Sequence, residues 1–199
     1  RPMLAAPSIL GIRHAAGNIV TARLNLPLQP MDRRDLFDDP LDAMLKAERL
    51  GAYLGTRPRQ GNAGKVHYCD FRIRLPDTGM PCLNRVCDIL EQIGAPKGSR
   101  LLVTGTGAVI PFGRMEGLAI YLNGTDLGEQ IYESYGVDHV VRSLDRLMGQ
   151  AGHYKGSWQG PRETALYFFG RRAEIMRARI DPFLADYPLC RDCRVERIA

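Results

Sequence analysis

The sequence predicts an α+β fold in which one structural unit is used twice. Three observations predict it. Over residues 65–75, His67, Cys69, Phe71, Ile73 and Leu75 fall on one face and Tyr68, Asp70, Arg72 and Arg74 on the other, the period of two of a half-buried strand. After the turn residues Pro76, Asp77, Thr78 and Gly79, Leu83, Val86, Cys87, Leu90 and Ile93 recur at helical spacing, and Gly94 stops the helix. Roughly 97 residues later the pattern returns, with a strand over 164–169, a helix over 171–187 and a closing strand over 194–198.

The other elements follow in order. Residues 1–17 show no period and read as a loosely docked arm. Val20, Ala22, Leu24 and Leu26 alternate in a first strand over 19–28, ended by Pro27 and Pro30. Residues 31–39 read as an acidic loop. Asp39 then caps a helix that has Pro40 at its first position and Leu41, Met44 and Leu45 on its buried face. A short strand over 52–56 leads to a loop over 57–64 that carries Arg57 and Arg59, and 100–104 is a fourth strand. Strand, helix, strand, strand, helix, strand is the order of a ferredoxin-like plait, βαββαβ, with helices on one face of an antiparallel sheet.

The second unit repeats the order. Leu118, Ile120 and Leu122 mark a strand, and a connection over 123–136 follows. Asp138 is placed to cap a helix with Val140, Val141, Leu144, Leu147 and Met148 on one face. Residues 149–160 read as a loop or short strand holding His153, Tyr154 and Trp158. Pro182 predicts a kink or break in the last helix. The expected organisation is an arm (1–17), a first unit (18–104), a glycine-rich linker (105–116) and a second unit (117–199). The two tandem ferredoxin-like units are expected to pack as one pseudo-symmetric protein, because each alone is small for a stable core.

Composition bounds the function. The net charge of +5 permits an acidic partner or nucleic acid without demanding one, since no block of basic residues occurs. No apolar run approaches the length of a membrane span, so no membrane partner is expected. Five cysteines without a secretory signal layout favour a reducing cytoplasm. Cys190 and Cys193 have metal or redox spacing but no second pair, and no cofactor is expected.

The acids Asp35, Asp38 and Asp42 lie in a cluster that reads as a solvated helix start or as a contact patch for a basic partner. His153, Tyr154 and Trp158 form a polar-aromatic group suited to anchoring a partner or the loop itself. Tyr68, Arg72 and Arg74 interleave an aromatic with cations on one strand, as RNA-recognition sheets do, yet the glycine-aromatic signature is missing. Leu166 and Phe168 are expected at the equivalent positions of the second unit, where such apolar side chains imply a packed rather than an open face.

The segments 159–170, 187–190, 123–127 and 94–99 resemble a group of bacterial tandem α+β proteins for which no catalytic residues are carried over. By class, small α+β chains without a catalytic signature are similar to immunity proteins that block bacterial toxins. That resemblance implies a protein-binding module acting through Asp35, Asp38, Asp42, Arg57, Arg59, His153, Tyr154 and Trp158. A ligand-sensing or RNA-binding tandem plait is the alternative.

Overall fold

A computed structural model describes residues 18–199, and in it the alternation read from the sequence becomes two antiparallel sheets. The predicted arm lies outside the described residues. β1 (Asn18–Leu24) is flanked by β3 (Val66–Leu75) and β4 (Ser99–Val103), both antiparallel to it. β2 (Ala52–Gln60) pairs outside β3, and β5 (Val109–Phe112) pairs outside β4. The second sheet runs β7 (Gly152–Gln159), β8 (Glu163–Gly170), β6 (Glu116–Asn123), β9 (Arg194–Arg197). In both sheets the unit's first strand lies between its third and fourth, and its second strand is outermost beyond the third. This strand order and the helical crossovers define two tandem ferredoxin-like units.

Each sheet buries one face under its helices. Val20, Ala22, Leu24, Cys69, Phe71 and Ile73 lie under α2 (Asp39–Ala47) and α3 (Met80–Gln92), joined by Leu41, Leu45, Val86 and Leu90. In the second unit Leu118, Ile120, Leu122, Leu166 and Phe168 pack on α5 (Val137–Met148) and α6 (Ala173–Asp186). Leu166 and Phe168 are therefore on the helix side, opposite to the face expected for them. Pairing explains this: Leu166 stands opposite Ile120 and Phe168 opposite Leu118, and directly opposed residues share a face.

Several predicted loops are ordered elements. Residues 31–39 are not a loop. Helix begins at Pro30 as α1 (Pro30–Arg33), passes through a π-helical turn (Arg34–Asp38) and continues as α2, so Asp39 is interior and caps nothing. Phe37, Leu41 and Leu45 bury one stripe along it, and Pro30 at the first position needs no N–H partner. Arg57 and Arg59 lie on β2, not in a loop; Pro58 is tolerated because β2 is an edge strand. His153, Tyr154 and Trp158 lie on the edge strand β7. Part of the expected linker forms β5 on the first sheet. Within the connection 123–136 sits α4 (Glu129–Ser134). Asp138 is in the first turn of α5, after Gly136 as the cap position. α6 runs through Pro182 without a break; Ala178, whose carbonyl loses its usual N–H partner, is exposed to water.

The units join asymmetrically. The second sheet's outer face, Ala119, Tyr121, Ala165, Tyr167, Phe169 and Trp158, belongs to the first unit's core, with Leu26, Leu28 and Phe37. Polar contacts fasten the joint. The Trp158 indole donates to the Ala63 carbonyl (3.0 Å), and the Asn25 amide donates to the Ile198 carbonyl (2.9 Å). Lys65 Nζ donates to the Tyr121 hydroxyl (3.3 Å) and the Ser157 N–H to the Asp32 carboxylate (3.4 Å). A side chain on Gly156 would collide with Asp32, whose Cγ lies 2.7 Å from where its Cβ would sit. Burial at this joint raises the Asp32 carboxyl pKa against the opposing Ser157 hydrogen bond.

Candidate nucleic-acid interface

The first sheet's outer face has no such cover among the described residues. Its composition follows from strand register, since residues paired across strands project to the same side. Pro111, Arg100, Arg23, Asp70 and Arg57 form one row across the five strands. Val109, Leu102, Thr21, Arg72 and Gly55 form the next. Arg74 lies beyond, between Ile19 and Ala52, and Tyr68 and Arg59 pair on the other side. Arg57, Arg59, Arg74 and Arg100 are exposed and Arg72 is half-buried.

Asp70 is the only carboxylate in these rows. It takes both hydrogen bonds of a two-pronged contact from Arg23, Nε and Nη2 each at 2.8 Å. The Arg23 guanidinium also lies 4.2 Å from the Tyr68 ring centroid. The Asp70 hydrogen bond chiefly raises the Arg23 pKa, with burial opposing it. The other five arginines lie within 4 Å of no carboxylate among the described residues. Five cations therefore sit on one sheet face with their charge uncompensated. Such a face attracts a polyanion, and guanidinium forks match phosphate oxygens.

The eight residues predicted to contact a partner do not form one surface. Arg57 and Arg59 are on the arginine face. Asp38 points inward: it accepts from buried Arg33 (3.1 Å), the Tyr53 hydroxyl (2.6 Å) and Thr56 (2.7 Å). Arg33 also approaches the Cys69 sulfur, and burial pushes that thiol up to about 11, which leaves it neutral and a poor nucleophile. Asp42 pairs with Lys46 (2.6 Å), while Asp35 is exposed. Trp158 is buried in the inter-unit joint and Tyr154 packs on Phe168. His153 is exposed, 3.8 Å from Asp145. Sequence reading missed Arg23 and Arg100; the signal was available, since Arg23 falls between inward Ala22 and Leu24. Cys190 and Cys193 are free thiols, Cys190 pushed up to about 12 by burial, then by Cys193.

No protein-family model matches the chain, and no curated protein matches it. Among solved structures, the chain is similar to the first two RRM domains of yeast poly(U) binding protein, at 10% identity over 90% of this chain and 99% of that one, TM-score 0.26. The ligand-free regulatory subunit of aspartate kinase from Thermus thermophilus matches at 14% identity over 83% and 92%, TM-score 0.26. A putative monooxygenase from Fusobacterium nucleatum matches at 9% identity over 92% and 91%, TM-score 0.29. At these scores the likenesses carry no argument about ligand or activity. The class of protein rests on the strand order itself: an α+β chain of two tandem ferredoxin-like units. Among the described residues, no helix is long and apolar enough to cross a membrane.

Proposed function

We propose that this is a binding protein whose ligand face is the outer side of the first sheet, and that its ligand is single-stranded RNA. The observation that carries this reading is the set of five uncompensated arginines, Arg57, Arg59, Arg72, Arg74 and Arg100, spread over β2, β3 and β4 beside Tyr68. Arginine forks would take the phosphates. Tyr68, the one aromatic in these rows, would offer a single stacking surface, so backbone contacts would dominate and sequence preference would be slight. The test is fluorescence anisotropy with a labelled single-stranded RNA at low salt. Saturable binding that weakens steeply with salt supports the reading; absence of binding at low salt overturns it.

A different surface favours a second reading, a partner protein, with inhibition of a bacterial toxin as its specific form. His139 on α5 stacks on Tyr187 (5.2 Å between centroids), just past the end of α6, and Tyr187 on Phe183 of α6 (4.9 Å), forming an aromatic ladder beside exposed Leu147. Aromatic clusters of this kind anchor protein interfaces. Co-purification with the product of a neighbouring toxin gene supports this reading, and chromatography showing no complex removes it.

A further inference from the structure

Between the two units lies a cleft of about 290 Å³ that the arginine face does not share. It is at the lower end of the size range of small-molecule sites. Its apolar wall is drawn from both units: Phe37 and Ile93 from the first, Met115 from the joining segment, Phe169 from β8. Its polar side chains are His153 and Lys155 on β7, Gln150 just before β7, Arg171 just after β8, and Gln92 at the end of the first unit's α3. Neither Lys155 nor Arg171 pairs with a carboxylate within 4 Å among the described residues. His153 has Asp145 3.8 Å away, and that carboxylate already accepts the Tyr154 N–H (2.8 Å). An apolar wall facing two unpaired cations matches one negative charge on an apolar body. It does not suit a sugar phosphate, whose hydroxyls would face Phe37, Ile93, Met115 and Phe169 without partners.

We infer that this inter-unit cleft binds a small organic acid, an aryl or branched-chain carboxylate. The carboxylate meets Lys155 and Arg171, and the hydrocarbon lies against Phe37, Ile93, Met115 and Phe169. The side chains come from both units, so an occupant that binds only the folded protein also holds the units together and raises thermal stability by mass action. The inference stands apart from the RNA reading and survives its failure.

The test uses isothermal titration and thermal unfolding of the whole chain with phenylacetate and 3-methylbutanoate, and with phenylacetamide as the uncharged counterpart. At least one acid binds saturably and raises the unfolding midpoint. The amide binds about tenfold more weakly or worse, the loss expected when one charge-assisted contact is removed. Lys155→Gln/Arg171→Gln weakens the acid by at least about tenfold with an unchanged unliganded midpoint, because both side chains reach solvent. Arg57→Gln/Arg72→Gln leaves acid binding intact. The proposal is overturned if neither acid binds, if acid and amide bind equally, or if Lys155→Gln/Arg171→Gln binds as wild type does.

Discussion

If the first sheet's outer face binds RNA as proposed, neutralising its arginines changes the salt dependence of binding by an amount set by the number of uncompensated cations. Each phosphate neutralised on a single strand contributes about −0.7 to the slope of log affinity against log salt. With five uncompensated cations engaged, the slope is about −3.5, and raising salt from roughly 50 to 200 mM weakens binding about a hundredfold. Arg72→Gln/Arg100→Gln removes two of these charges from different strands and flattens the slope to about −2. The loss is similar for every RNA sequence tested, because phosphate contacts carry no sequence information. Fold is not at risk, since surface substitutions of this kind change stability by only about 0.5 kcal/mol. The assay is anisotropy over a salt series, with Arg142→Gln on the exposed side of α5 as the control. A slope near zero in the wild type, a slope unchanged in the double variant, or an equal loss in the control refutes the reasoning.

Asp70→Asn releases Arg23 from its ion pair and adds a sixth free cation, so RNA binding tightens and the slope steepens by about 0.7 in the same assay. Asp38→Ala leaves buried Arg33 without its carboxylate and costs about 3–5 kcal/mol in urea unfolding, while RNA affinity of the remaining folded protein is unchanged. Glu116 accepts from Lys97 (2.6 Å) and from the Ala173 N–H at the start of α6 (2.7 Å), and forms an ion pair with Arg197 (2.9 Å). The Lys97 hydrogen bond, then that of Ala173, holds its carboxyl below the usual range. A depressed folded-state pKa gives stability that is present above the unfolded carboxyl pKa and lost as pH falls through the folded one. Urea midpoints of the wild type therefore drop across that acid window, and Glu116→Gln shows a shallower drop. Glu116→Ala costs about 1.5–3 kcal/mol, chiefly from the buried Ala173 N–H left without its acceptor, since Lys97 and Arg197 are half-exposed and contribute little.

Much of the fold was determined by the sequence alone, because local periods report which way side chains point. The alternation in β1 and β3, the helical stripe of α3 and its recurrence in α6 specify a βαββαβ unit and its repeat. Where local signals failed, a distant partner decided. The acids from Asp32 to Asp39 look like a loop, yet a helix forms there because Phe37 and Leu41 have a sheet to bury against. Arg57 and Arg59 look like loop residues, and residues 149–160 read equally as loop or short strand; edge pairing with β3 and β8 makes both segments strand. Of the candidate site, Tyr68, Arg72 and Arg74 were legible from alternation, and Arg57 and Arg59 as basic residues without their setting. Only register brought Arg23 and Arg100 into the same rows, and only tertiary packing decided which sheet face is left uncovered among the described residues. The second sheet's outer face carries Tyr121, Tyr167 and Phe169 and is buried against the first unit. The first sheet's outer face carries arginines, which cost too much to remove from water without partners. Hydrophobic burial and charge solvation thus divide two copies of one architecture into a buried sheet face and a solvated one.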